Sequence, residues 1–155
     1  MHRKNLMLGT VLALSLFTMG FPISQAADES SDIIKFRQNV MKGVGAHISN
    51  IAAVAKGKIS YRGNLVSDAQ GIINGLATAG DLFPSGTEGG KTNALSSVWE
   101  DPAGFQKALG ESNKRAEQLL DVIQGSDDIK EIDMALKVLG KSCGQCHDTY
   151  KKKKK

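Results

Sequence analysis

The residues with the clearest chemical potential lie near the C-terminus, in the segment KSCGQCHDTY. It holds the only two cysteines of the chain, Cys143 and Cys146, and His147 directly follows the second. Residues of these types serve three kinds of site: a redox-active dithiol, a zinc site, and a C-x-x-C-H site for covalent haem attachment. A disulfide between two such close cysteines would stabilise no distant contact. We therefore interpret the pair as a functional site.

The helical pattern around the motif favours haem attachment. Apolar residues and both cysteines recur at alternating spacings of three and four, which predicts one core-facing seam of a bundle helix. The seam comprises Ile129, Ile132, Leu136, Leu139, Cys143, Cys146 and Tyr150. A dithiol oxidoreductase would instead place its cysteines at a helix N-terminus, where the dipole lowers the thiol pKa. A zinc site would need a fourth ligand, for which His47 is the remaining histidine candidate.

The first residues predict export. Basic residues precede an apolar stretch of about 16 residues, shorter than the ~20 of a membrane-spanning helix, and the small residues of SQA end at Ala26. We predict a cleavable signal peptide over residues 1–26 and a mature domain over residues 27–155 in the periplasm, without membrane association after cleavage. Loss of Arg3 and Lys4 would lower the formal charge from +4 to +2. This weak charge does not indicate nucleic-acid binding.

Four helical segments follow, and no segment has the pattern of a strand. The predicted helices are A from Ser31–Asp32, either of which could cap it, to near Gly57; B from Ser67 to Leu82; C from Asp101–Pro102 to Gly125–Ser126; and D after Ser126. Helices of this length and number predict an all-α, antiparallel four-helix bundle. The loop between helices B and C, of about 17 residues, is long for a bundle and indicates a functional role.

Three segments together resemble the class II c-type cytochromes, which include cytochrome c′ and the low-spin cytochrome c-556 type. They are CGQCHDTYKKKK at the C-terminus, RQNVM in helix A, and LFPSGTEGG with VWEDPAGF between them. The resemblance covers essentially the whole mature chain. It implies a four-helix bundle with one covalent haem c that acts as a one-electron carrier for respiratory redox proteins, not as an enzyme. Binding of NO or CO and assembly as a homodimer are further expectations from the resemblance.

The resemblance also implies roles for single residues. Cys143 and Cys146 would carry the haem thioethers, and His147 would be the proximal iron ligand. Arg37 and Gln38 would lie beside the haem and its propionates, since a guanidinium can bind a carboxylate with two hydrogen bonds.

The loop between helices B and C matches the haem-contacting loop of the family at Thr87 and Glu88. The nearby aromatic residues Phe83, Trp99 and Phe105 are interpreted as packing residues.

The distal side of the haem leaves two alternatives open. Met41 lies one helical turn after Arg37 and would face the iron, with Gly45 leaving room beside it. If the Met41 sulfur binds iron, the haem is six-coordinate and low-spin, which favours electron transfer. If Met41 only packs there, the iron is five-coordinate and high-spin, as in a cytochrome c′ dedicated to NO or CO. His47 should point away from the haem, because it lies about 240° around the helix from Met41.

Five lysines occupy residues 151–155. Lys151 lies one turn after His147, where related chains often carry arginine. Residues 152–155 are predicted to form a frayed, solvated end of helix D.

Overall fold

Residues 29–153 are described by a computed structural model, and four long helices dominate this part of the chain. The helices are α1 (Ser30–Ala55), α2 (Leu65–Ala79), the single turn α3 (Ser97–Glu100), α4 (Pro102–Gly125) and α5 (Ile129–Tyr150). The predicted signal peptide at residues 1–26 and the last two lysines lie outside the described residues. Within residues 29–153, no helix combines the length and apolar character needed to cross a bilayer.

The long helices form a four-helix bundle, as predicted. Helix α1 packs against α2 and α5, and α4 packs against the same two helices, so the four enclose one core. Each helix contributes at least one fully buried side chain to its centre: Ile51, Ile72, Leu119, Ile132 and Leu139. Burial of one such side chain stabilises the fold by about 1.5–3 kcal/mol.

The helix ends agree with the sequence prediction at two places and differ at two others. Asp101 caps α4 as predicted, since its Oδ1 accepts a hydrogen bond from the Gly104 N–H at 3.0 Å. Helix α1 ends just before Gly57, whose φ of 67° suits glycine. The predicted capping of α1 by Ser31 or Asp32 is wrong. The Glu29 carbonyl accepts from the N–H of Asp32, so the helix already begins at Ser30.

The boundaries of the second helix also differ from the prediction. Helix α2 begins at Leu65, two residues before the predicted Ser67, and it ends at Ala79 rather than Leu82. Leu65 is buried in the core, so packing favours the earlier start of the helix.

Two glycines of α2 allow a close approach of α1. A Cβ built on Gly75 would lie 2.5 Å from Cγ2 of Val44, and one built on Gly71 would meet the imidazole of His47. These positions therefore bring Val44 and His47 of α1 directly over the backbone of α2.

The long loop between α2 and α4 is held by a set of buried hydrogen bonds, which we call the Arg37 network. The Arg37 side chain donates to the Leu82 carbonyl at 3.1 Å, to Oγ1 and the carbonyl of Thr87, and to Oγ1 of Thr92, the last three at 2.8 Å. Its guanidinium also stacks on the ring of Phe83, 4.5 Å from the centroid. Arg37 thus joins α1 to both halves of the loop.

The C-terminal residues pair with the same loop. Lys151 forms an antiparallel bridge with Ala94, and the Lys152 N–H donates to the Asn93 carbonyl at 2.8 Å. The Lys152 ammonium also donates to the Thr92 carbonyl. The predicted frayed end is therefore wrong for Lys152, because loop carbonyls bind its backbone and its side chain. Local sequence could not show this contact.

The glycine contact generates a first prediction. Gly75→Ala should lower the free energy of unfolding by about 1 kcal/mol, because overpacking costs about 1–3 kcal/mol and alanine regains up to ~1 kcal/mol in helix propensity. The β-branched Val44 has few alternative rotamers with which to yield. Urea titration followed by circular dichroism measures the change. The control is Gly110→Ala in α4, where nothing lies within 4 Å and stability should rise. A similar rise in both variants would contradict the close contact.

The Arg37 network generates a second prediction. Arg37→Lys keeps the charge, but a single ammonium cannot reach all the loop oxygens, so the free energy of unfolding should fall by about 2–4 kcal/mol. Trypsin should also cleave faster after the exposed Lys91 in the released loop. Arg115→Lys is the control, because Arg115 makes an exposed pair with Glu111 worth less than ~1 kcal/mol. Equal losses in the two variants would refute the anchoring role of Arg37.

Candidate functional site

A half-open cavity of about 320 Å³ lies between α1 and the C-terminal end of α5. Its size falls within the range of about 300–1,000 Å³ that is usual for cofactor and small-molecule sites. The ends of α2 and α3, the start of α4 and the loop complete its walls. These walls are largely apolar, and they include Ala79, Phe83, Ala94, Val98, Phe105, Leu109 and Tyr150.

Helix α5 brings two of the three predicted attachment residues to the cavity. Cys146 and His147 both line it, and Cys146 is buried. Cys143 lies one turn earlier, is half-buried against the core, and is not among the lining residues. Both thiols are free, and they occupy the last two turns of α5.

The acidity of the two thiols does not suit dithiol chemistry. Burial raises the pKa of Cys143, and burial together with the nearby Cys143 raises the pKa of Cys146. Both groups are therefore protonated at neutral pH, whereas the thiolate is the attacking species in disulfide exchange. The position near a helix C-terminus acts in the same direction. These features argue against a thiol–disulfide oxidoreductase.

The protonation of His147 suits a metal ligand. Burial lowers the pKa of His147, and the positive charge of Lys151 lowers it further, while Asp148 opposes both effects. The imidazole is thus neutral at neutral pH, and a neutral ring offers a nitrogen lone pair to a metal ion. The described residues contain no group of three His, Cys, Asp or Glu side chains that could hold a metal ion, so the zinc alternative finds no support there.

Met41 of α1 lines the cavity on the side that faces α5. It is half-buried on α1 and lines the same cavity as His147. His47 does not line it. Its Nδ1 lies 2.8 Å from Oδ1 of the buried Asp68, and Asn50 donates to the same oxygen. The prediction that His47 points away is confirmed.

Arg37 and Gln38 also line the cavity, but their hydrogen bonds serve the loop. Both terminal nitrogens of Arg37 donate to two loop oxygens each, and Nε2 of Gln38 donates to the Lys91 carbonyl at 2.8 Å. Burial lowers the pKa of Arg37, while Glu88 raises it. The terminal N–H groups of Arg37 therefore already donate to loop oxygens. The guanidinium, which we expected to bind a haem propionate, binds the loop instead.

Thr87 and Glu88 do not line the cavity. Thr87 is 1% exposed, and both its hydroxyl and its carbonyl accept hydrogen bonds from Arg37. Glu88 is exposed. Thr92 takes the place expected of them, since it lines the cavity and accepts from Arg37. Sequence reasoning missed Thr92. Its only signal was its position in the long loop.

The aromatic residues in and near the loop pack as predicted. Phe83 meets Trp99 and Phe105 edge to face, with centroid distances of 5.8 and 4.9 Å, and Phe105 meets Tyr150 in the same way at 5.3 Å. Phe83 and Phe105 also form part of the cavity wall, so they add apolar surface to the site. Tyr150 donates to Oδ2 of Asp101 and thereby ties the end of α5 to the cap of α4.

The donor set and the walls fit a haem attached near Cys146. A large apolar macrocycle requires apolar walls, and its iron requires nitrogen or sulfur ligands. The cavity supplies such walls, a neutral imidazole from α5 and a thioether from α1.

Comparison with known proteins agrees with this chemistry. A family model described as cytochrome C′ matches residues 32–151. Cytochrome c-556 of Agrobacterium tumefaciens (strain B2A) is 32% identical over 122 residues, which are 78% of this chain and 98% of the relative. The structure of cytochrome c prime from Shewanella frigidimarina superposes with a TM-score of 0.74 at 28% identity, covering 82% of this chain and 99% of the other.

A second solved structure shows a small ligand on the same fold. A mutant of cytochrome c prime from Alcaligenes xylosoxidans, described as a nitric oxide complex, has a TM-score of 0.74 at 26% identity, covering 83% of this chain and 99% of the other. The match over nearly all described residues, together with the cavity chemistry, shows that the chain is a haem c protein and belongs to the cytochrome c′ family of class II c-type cytochromes.

Proposed function

We propose that this protein is a periplasmic monohaem cytochrome that carries single electrons between redox proteins of a respiratory chain. The observation that carries the proposal is the placement of Met41 and His147, from α1 and α5, in the walls of one cavity beside Cys146. A haem bound there would supply a reversible one-electron change at iron. The residues of the chain would hold the haem, ligate its iron and form the walls around it. Assembly as a homodimer stays a prediction.

The residues of α5 would hold the cofactor. Cys143 and Cys146 are proposed to form the thioethers, and His147 to donate its lone pair to iron. Because thioether formation converts both thiols, their raised pKa values do not affect the protein once the haem is attached. The core packing of α5 would then hold the imidazole in place, since Leu139 and Tyr150 are buried on either side of the motif.

The residues of α1 would set the distal side. A thioether bound to iron favours electron transfer and raises the reduction potential. Met41 is half-buried and backed by the core, which limits its alternative positions. Arg37, one turn earlier, would act through the loop that it anchors. We propose that Arg37, Gln38 and Thr92 keep the cavity wall in place beside the haem, and that Thr87 and Glu88 contribute through the same loop.

A second candidate function is binding of NO or CO at an open iron. The nitric oxide complex of the Alcaligenes xylosoxidans protein favours it, as do the apolar walls around Met41. Neither electron transfer nor binding of NO or CO involves turnover of a substrate. That the protein is not an enzyme stays a prediction.

Haem attachment is tested by mass spectrometry of protein made in a host competent in haem maturation. The mature chain should carry the mass of one haem. Cys143→Ala and Cys146→Ala should each remove one thioether and shift the absorption band of the pyridine complex, because one vinyl group then stays unsaturated. Met134→Ala, at an exposed site on the same helix, should change neither. An apoprotein with two free thiols under these conditions would refute the proposal.

The role of Met41 is tested by absorption spectra in both oxidation states, with and without CO. We expect a low-spin spectrum, and Met41→Ala should convert it to high-spin and let CO bind, because the sulfur no longer occupies the iron. Met134→Ala is again the matched control. A parent protein that is already high-spin and binds CO would contradict ligation by Met41 and would establish the gas-binding alternative.

A further inference from the structure

We propose that the lysines around the mouth of the cavity form a docking surface for an acidic patch on a partner redox protein. We call these residues, Lys42, Lys91, Lys151 and Lys152, the basic rim. The inference rests on the proposed electron-carrier function and adds the kind of partner to it.

The rim is assembled from three parts of the chain. Lys42 of α1 and the two lysines after α5, Lys151 and Lys152, line the cavity. Lys91 does not line the cavity but is exposed on the adjacent loop, and its backbone carbonyl accepts a hydrogen bond from the lining residue Gln38. Only tertiary folding brings these residues together, because they are far apart in the sequence.

The rim is held in position. The bridge between Lys151 and Ala94 and the bond from the Lys152 N–H to the Asn93 carbonyl hold the backbone after α5 against the loop. Lys91 is placed by the Gln38 bond. A partner that binds here therefore orders fewer groups than it would on a free lysine tail, which lowers the entropic cost of docking.

The charge at the mouth has one sign. Among the described residues that line the cavity, the charged side chains are Arg37, Lys42, Lys151 and Lys152, all cationic. A bound haem brings two propionates, and these four cations exceed that charge. Three carboxylates lie near the mouth: Glu88 offsets part of the charge of Arg37, Asp148 lies 3.7 Å from the Lys153 ammonium, and Asp101 accepts from the Tyr150 hydroxyl. The mouth therefore attracts anionic surfaces.

The chemistry of the rim favours a protein over a lipid surface. Peripheral membrane binding gains strength from apolar side chains that insert beside the basic residues. The large exposed apolar residues of the described chain, Phe36, Ile59, Tyr61, Val66, Met134 and Val138, do not line the cavity. Electrostatic steering of a redox partner needs no such anchors, and it orients the partner towards the cofactor.

Two measurements on the haem-loaded protein test the rim. Stopped-flow oxidation of the reduced protein compares anionic hexacyanoferrate(III) with cationic tris(phenanthroline)cobalt(III), and fluorescence anisotropy follows binding of a labelled oligoglutamate peptide. With rising ionic strength, the rate with the anion should fall and the rate with the cation should rise. Near 0.1 M ionic strength, Lys42→Gln and Lys91→Gln should each slow the anion reaction and weaken peptide binding by about twofold.

Matched controls separate the rim from net charge. Lys56→Gln removes the same charge just beyond the C-terminal end of α1, about 21 Å from Lys42 along the helix axis, which is about twice the screening length of about 10 Å. Lys114→Gln does so on the exposed face of α4. Both should leave rate and binding nearly unchanged. Equal effects at rim and control positions would overturn the proposal, because net charge would then explain them.

The remaining outcomes are distinguishable. Binding to phosphatidylglycerol vesicles with the same lysine dependence, without peptide binding, would overturn the proposal in favour of a membrane surface. Electron transfer at normal rates without selectivity between the two reagents would refute the rim and leave the electron-carrier function intact. A protein without a reducible haem would refute that function, and peptide binding would still decide whether the rim recognises acidic protein surfaces.

Discussion

The buried guanidinium of Arg37 is the interaction on which the site depends. A charged group that is 4% exposed requires hydrogen-bond partners, because its desolvation is otherwise costly. Arg37 finds them on Leu82, Thr87 and Thr92, so the desolvation of one residue in α1 determines where the whole loop lies. That loop in turn pairs with the chain beyond α5 and completes the wall opposite the motif helix. Packing of the four helices forms the core, and the Arg37 network converts one end of it into a cavity.

Burial has opposite consequences for the two kinds of group on α5. The thiols lose acidity when desolvated because their charged form is the thiolate, which removes the reactivity that disulfide exchange needs. The imidazole becomes a better ligand for the same reason, since its charged form is the protonated one that cannot bind metal. One environment thus disfavours thiol redox chemistry and favours a haem with histidine ligation.

The sequence predicted the features that depend on local order. The spacing along α5 identified its buried face and the attachment motif, and Asp101–Pro102 marked the start of α4, because helix periodicity and capping are encoded over a few residues. The family resemblance and the one-turn spacing from Arg37 placed Met41 in the cavity, and the helical angle from Met41 placed His47 outside it. The capping of α1, the limits of α2 and the state of Lys152 were predicted wrongly. The Glu29 carbonyl starts α1 earlier, burial of Leu65 favours the earlier start of α2, and the Asn93 carbonyl holds Lys152. These contacts outweighed the preferences of the local sequence. Thr92 escaped notice because its partner, Arg37, is 55 residues away.

The sequence by itself determined that this is an all-helical protein with a haem-attachment motif on a core-facing helix, since type and spacing of residues suffice for that. Tertiary structure alone decided what surrounds the motif. It turned Arg37 towards the loop and left Thr87 and Glu88 outside the cavity. It also gathered lysines from α1, the loop and the C-terminus around one opening. The physical reason is that desolvation and long-range hydrogen bonds act between groups that only folding brings together.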